Sequence, residues 1–288
     1  MSKEHFNTSS EADFWKTAAE RHRIYIARGD GEPYPWTEDP IFHKFKFTNV
    51  FRELDAGTGA LRSMLPENTT DPATIIANVV WYRMLNRSEH VDDIGLQRNG
   101  DELTELLVRK KVSGAKIFTG CHMHSGDLTG NSATFRAIFR EAAELAEICE
   151  MSQSLESIFG HLTKTYNHVG PFIGYEIVTD LRHYAALWPG NHPVDYNTWA
   201  NVGPGSRRGM ERLGLPPTLQ SMRDLLANGK TATYGTVLEP HINGTVSGAM
   251  PRFELREIEH WLCEFDKYER ARTGQGVPKQ IYRPKPQK

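Results

Sequence analysis

The 288-residue chain holds only three cysteines, Cys121, Cys149 and Cys263, odd in number and far apart. That excludes a disulfide-stapled scaffold and fits a reducing compartment. No apolar run approaches the roughly 20 residues that cross a bilayer. The first residues, MSKEHFNTSSEADFW, lack the apolar centre of a secretory leader. The expectation is a cytoplasmic protein with no membrane partner. Charge of one sign is also missing: 34 Lys and Arg against 36 Asp and Glu leave −2. Histone-like binding through bulk charge is thereby excluded, whereas a local basic cleft for DNA is not. Internal repeats and low-complexity blocks are absent, and strand signals are scarce.

Helical signals fill the space that strands leave. Asp71-Pro72 offers an N-cap and an N1 proline, and Ile75, Ile76, Val79, Val80 and Met84 then recur at helical spacing to about Asn86. Residues 132–151, 154–164, 171–187, 218–228 and 253–270 continue the pattern. Residues 47–55, FTNVFRELD, read as a short amphipathic helix with Val50, Phe51 and Leu54 on one side. At most a small β hairpin over 231–246 is expected, turning at Asn243-Gly244. The fold class is therefore mainly α. One helical domain over 14–270 is expected between a flexible N-terminus, 1–13, and a basic flexible tail, 271–288.

Gly229-Lys230-Thr231 ends like a phosphate-binding P-loop, but the required glycine five positions earlier is Asp224 and no strand precedes it. Gly229 is expected instead as the left-handed residue closing a helix. Cys121-His122-Met123-His124 groups metal-ligand types without a second pair at suitable spacing, so no metal site is assigned. YNHVGPFIG, 166–174, has the form of a helix-hairpin-helix turn or of a plain helix–helix turn. In the former, His168 stands where the first glycine is usual, while Val169 and Gly170 fit. VGPGSRRG, 202–209, is either a solvated turn or an anion cradle in which Gly203 and Gly205 let backbone approach and Arg207 and Arg208 donate. In the helix after YNHVGPFIG, Glu176 and Asp180 lie one turn apart and share a face. The charged residues of LREIEHWLCEFDKY, 255–268, read as a solvated face or local ion pairs behind a stripe of Ile258, Trp261, Leu262 and Phe265.

Taken in order, FW at 14–15, RHRIY at 21–25, PWTEDPI at 35–41, FTNVFRELD, GPFIGYEIVTDLRH, GPGSRRG and EIEHWLCEFDKY resemble the phage α-glutamyl/putrescinyl-thymine pyrophosphorylase clade. Its members are amino acid:DNA transferases close to the helical domain of 5-hydroxymethyluracil DNA kinases. The resemblance runs from about Phe14 to Tyr268. It implies a helix-hairpin-helix, DNA-glycosylase-like helical domain acting in the host cytoplasm on double-stranded DNA that carries a modified thymine. The implied reaction replaces the pyrophosphate on the 5-methylene of uracil with an amine from an amino acid or a polyamine. In that frame Asp195, in a V-D-x-N-like segment, would deprotonate the amine, although it would equally serve as an N-cap. Glu176 and Asp180 would bind the amine or a metal, or would equally cap and pair structurally. Gly203, Gly205, Arg207 and Arg208 would hold the pyrophosphate, with Mg²⁺ the one candidate cofactor. Asn49, Arg52 and Asp55 would contact base or backbone. His168, Val169, Gly170, Lys110 and Lys111 would contact DNA phosphates, and the target base is expected to flip. A glycosylase excising a modified base and a non-catalytic DNA-binding module are the competing readings.

Overall fold

The computed structural model describes residues 9–119, 128–245 and 250–284. Cys121-His122-Met123-His124 lies outside them. The described residues form α1 (Glu11–Gly29), α2 (Pro40–Lys44), α3 (Ala56–Met64), α4 (Pro72–Leu85), α5 (Glu89–Asp93), α6 (Gly100–Val112) and α7 (Leu128–Ser152). They continue with α8 (Leu155–Thr165), α9 (Pro171–Leu181), α10 (Pro204–Arg212), α11 (Leu219–Ala232), α12 (Glu239–Asn243) and α13 (Leu255–Arg272). Their only β pairing is an isolated antiparallel bridge between Phe45 and Ile281. Among the described residues no helix is long and apolar enough to cross a membrane.

Local chemistry explains where the helices start. Ser10 and Asp13 form a capping box on α1, and Asp39 accepts from Ile41 and Phe42 at the head of α2. Asn99, Ser154 and Thr218 cap α6, α8 and α11. By contrast, α9 and α10 each start with a glycine N-cap followed by proline, and no side chain caps either.

The expected single body over 14–270 divides into two compact units. The first comprises 1–55 and 200–288, the second 56–199. In the second unit every residue of α4 from Ile75 to Leu85 is buried, as a helix apolar all round requires. Its two polar members are satisfied there. Asn78 bonds Thr74, Trp81 and Gln97, and Arg83 holds Asp180, Thr58 and Asn86. In the first unit Phe14 packs edge-on against Trp15 at 5.1 Å and Phe265 at 5.6 Å, and Trp261 Nε1 donates to the Phe14 carbonyl. The expected free tail is tied back: Lys46 N–H donates to the Gln280 carbonyl and Tyr282 N–H to that of Lys44.

Three local expectations are corrected. Of the hairpin expected over 231–246, the described residues 231–245 are the end of α11, a turn and α12; Gly244, at φ 69°, ends α12 instead of turning a hairpin. Gly229 lies inside α11, where a Cβ would fall 2.7 Å from Trp15, so close helix packing and not a left-handed backbone selects it. Residues 47–55 are irregular, bending at Val50 and Phe51 before a single 3₁₀ turn at Arg52–Leu54. Their alternating polar groups bond α1 and α13, which an α-helix would prevent.

One buried contact in the first unit is acid-sensitive. His241 Nδ1 donates to the Pro251 carbonyl, so its Nε2 accepts from His22 Nε2 at 3.1 Å. Burial, then the neighbouring His241 and Arg21, hold His22 down to about 3, and burial also lowers His241. The unfolded chain takes up protons below the ordinary 6.5 that the folded chain refuses. Stability is therefore lost as pH falls from about 6.5 towards 3. Denaturant unfolding at pH 6.5 and 5 should show this slope, and His22→Gln should flatten it.

A second expectation concerns the α10–α13 contact. A Cβ on Gly209 would fall 2.3 Å from the Leu262 carbonyl oxygen, whereas one on Gly160 in α8 meets nothing within 4 Å. Gly209→Ala should cost about 1–3 kcal/mol. Gly160→Ala should stabilise by about 0.5–1 kcal/mol, by removing chain entropy from the unfolded state. Equilibrium denaturation measures both.

Candidate functional site

A polar cluster in the first unit forms where the irregular segment after Phe47 meets α1 and α13. Thr48 N–H donates to Glu264 Oε2 at 3.0 Å, and the Thr48 hydroxyl lies 2.9 Å from His260 Nε2. The same imidazole nitrogen is 3.1 Å from the Asn49 carbonyl. From α1, Arg21 reaches Asn49 Oδ1 at 2.5 Å, and Asn49 Nδ2 donates to the Leu54 carbonyl at 2.6 Å. Asn49 N–H donates to Asp55 Oδ1 at 3.0 Å. The other Asp55 oxygen, Oδ2, receives no hydrogen bond among the described residues. Asn49 thus orients a guanidinium and a carboxylate at once.

The electrostatics set these groups apart from ordinary surface pairs. Burial raises Asp55 above the usual carboxylate range, against the pull of His260, the Asn49 N–H, Arg52 and Arg21. Burial also lowers Arg21, against Asp55 and Glu264. For Glu264, burial works upward, yet Lys267, His260 and the Thr48 N–H together bring it below its ordinary value. Two carboxylates of one cluster are therefore driven in opposite directions, the pattern that separates a proton acceptor from a fixed charge.

The floor beneath the cluster is ionic. Arg256 is buried between Glu257 and Glu53. Next to His260 in α13, Glu259 is buried, and Cys263 Sγ, one helical turn further on, donates to it at 3.7 Å. Burial and the nearby Glu259 and Glu264 hold the Cys263 thiol well above its usual value, so it is no nucleophile. The reading of α13 as carrying a solvated face or local ion pairs is corrected in part: Lys267 does pair with Glu264, but Glu257, Glu259 and Asp266 are all buried. Arg21, His260 and Glu264 were not singled out from sequence. For His260 and Glu264 the signal was the unusual number of charges flanking the apolar stripe of α13; Arg21 stood within RHRIY of α1.

Other expected site residues lie elsewhere. Asp195 has both oxygens committed to the head of α8: Oδ1 accepts from Leu155 N–H, and Oδ2 from the Ser154 hydroxyl and Glu156 N–H. It caps a helix 40 residues earlier instead of the next one. Asp180 is buried in a two-pronged ion pair with Arg83, and Glu176 is buried on the same helix. Residues 202–209 are no glycine turn but the start of α10. There a Cβ on Gly205 would meet Cys263 Sγ at 2.5 Å, and one on Gly203 would come within 3.8 Å of a Glu259 oxygen. These glycines admit α13, and the neighbouring carboxylate makes the spot a poor anion cradle. Arg208 is held by Asp266 at 2.9 Å, while Arg207 is exposed and makes no ion pair among the described residues. His168 takes φ 68°, the left-handed backbone that a glycine would adopt there, and its ring fills the space beside Gly130. Val169 is buried, Gly170 is the exposed N-cap of α9, Lys110 pairs with Asp93, and Lys111 is exposed.

The comparisons agree in direction. Residues 8–277 match the family described as "5-hmdU DNA kinase, helical domain". A 5-hmdU DNA kinase of Bacillus phage SP10 is 26% identical over 279 residues, covering 86% of this chain and 43% of that protein. The chain thus spans less than half the length of this relative. No solved structure matches. With the match running through both units and every element of the cluster, the chain belongs to the 5-hmdU DNA kinase helical-domain family.

Proposed function

We propose that the protein is a DNA hypermodification transferase. It replaces the pyrophosphate of 5-(pyrophosphoryloxymethyl)uracil in DNA with the amine of an amino acid such as glycine, or of a polyamine. Membership of a family described by 5-hmdU DNA supports a modified thymine as the substrate. The observation that carries the transfer step is Asp55. This carboxylate is raised by burial and leaves Oδ2 without a hydrogen bond among the described residues, beside Arg21, Arg52 and His260.

The chemistry follows from that arrangement. An ammonium has no lone pair, so a base must take its proton before attack, and Asp55 Oδ2 accepts it. The nitrogen lone pair then forms the C–N bond at the 5-methylene carbon. The C–O bond breaks, and its electrons leave with pyrophosphate. Arg21 and Arg52 neutralise the growing negative charge in a site poor in water. Asp195 has no part in this step because its oxygens are bound to α8. The Gly229-Lys230-Thr231 segment lies within α11 and offers no phosphate loop, which favours displacement over phosphorylation. In the second unit, the turn between α8 and α9 and the uncapped N–H groups behind Gly170 serve as a helix-hairpin-helix contact to a DNA phosphate.

The test incubates the protein with pyrophosphorylated hydroxymethyluracil DNA and a panel of amines, with and without Mg²⁺, and reads nucleosides by mass spectrometry. An aminated thymidine in an intact strand is expected. Asp55→Asn should lower its yield about 10²–10⁴-fold, while Asp195→Asn keeps it close to the parent. Abasic sites in place of adducts would establish a glycosylase instead. Unchanged DNA with every amine would contradict the reading.

A further inference from the structure

An aromatic cluster on the first unit has no part in the chemistry above. The paired backbones of Lys44–Lys46 and Gln280–Tyr282 bring Tyr282 to the proline-rich segment before α2. There Tyr34 stacks on His43 with centroids 5.1 Å apart and planes 19° from parallel. Trp36 meets Tyr34 edge-on at 5.3 Å, and Tyr282 lies 6.3 Å from both Tyr34 and Trp36. His43 is exposed and the other three rings are partly so.

The cluster is held in place. Trp36 Nε1 donates to the Glu32 carbonyl at 2.7 Å, and Arg23 donates to the Trp36 carbonyl at 2.6 Å. The Thr37 hydroxyl donates to Glu20 at 2.5 Å. Rings that only filled a core would be covered; these are fixed and left facing water. Around them Arg28, Lys44, Lys46, Lys279 and Arg283 are exposed, against exposed Asp30, Glu32 and Glu38, so the rim is positive. Glu20 and Asp39 do not offset this freely, since one holds Arg23 and the other caps α2. The same helix, α1, holds the Trp36 carbonyl through Arg23 and Asn49 through Arg21, which ties the rings to the element bordering the Asn49–Asp55 cluster.

We propose that Tyr34, Trp36, His43 and Tyr282 form a stacking platform for the unpaired bases of single-stranded or flipped-out DNA at the edge of the Arg21–Asp55 site. The inference rests on the reading of the substrate as DNA. Every base has a π face, so stacking captures an unpaired strand whatever its sequence, and a positive rim tracks the phosphates. Bases within a duplex are stacked on each other and hide those faces. The platform therefore deepens the proposed reaction: the modified thymine is presented to Asp55 out of the helix.

The test measures binding of a dye-labelled oligothymidylate and of its duplex by anisotropy. The single strand should bind more tightly. Trp36→Ala and Tyr282→Ala should each weaken it roughly tenfold or more, and Trp36→Phe should largely restore it. Of the six tryptophans, Trp36 alone is not buried. Its fluorescence should be quenched by the oligonucleotide, and Trp36→Phe, which keeps the ring packing, should abolish the quenching. Parent-like affinity in both alanine variants, or quenching that persists in Trp36→Phe, overturns the platform. If adducts form while those variants bind normally, the platform fails and the reaction stands. If stacking holds and no adduct forms, the platform stands and the reaction fails.

Discussion

The structure of the first unit depends on what happens to the charges of α13. This helix has an apolar stripe, yet Glu257, Glu259, Asp266 and Glu269 on its remaining surface are also buried. A buried carboxylate without a partner costs several kcal/mol, so every neighbouring element must bring a cation or an N–H. α10 brings Arg208 and Arg212 to Asp266. Arg256 sits between Glu257 and Glu53. Ser9 and Arg272 meet Glu269. The close α10–α13 approach, permitted by Gly205 and Gly209, is the steric counterpart of these pairs.

The non-helical backbone of residues 47–51 follows from the same demand. Its N–H groups and carbonyls are drawn to Glu264 and His260 of α13, and its side chains to Arg21 of α1. A segment held from both sides presents Asp55 with one oxygen fixed and the other open. Catalytic carboxylates need this combination of rigid placement and raised proton affinity. The cluster is thus a consequence of how the charged helix is buried.

Much of the fold was legible because its signals are local. The Asp71-Pro72 start of α4, the 3.6-residue pattern of α7 and the stripe of α13 each appear with boundaries close to those expected. The mainly α class held as well. What was not legible depended on partners far along the chain. Nothing near Asp195 says that its carboxylate bonds residues 154–156, and nothing near Asp180 names Arg83. Glycines at 203, 205 and 209 look alike whether they approach a phosphate or a helix, and only the Cys263 and Leu262 contacts decide. Asn243-Gly244 is a left-handed signal shared by hairpins and helix ends, and α12 claimed it. Asn49, Arg52 and Asp55 were named through the resemblance, as contacts to base or backbone. Arg21 and His260 were missed because each lies in a pattern that also reads as an ordinary helix face.

The most direct test of the account is the titration of Asp55 by carboxyl ¹³C NMR, with and without inorganic pyrophosphate. Burial should make Asp55 titrate above the ordinary aspartate value of 3.8. Pyrophosphate bound between Arg21 and Arg52 should move it further upward, because a second anion disfavours ionisation. An Asp55 that titrates at or below the ordinary value and does not respond to pyrophosphate would contradict the claim that this cluster is where the diphosphate leaves.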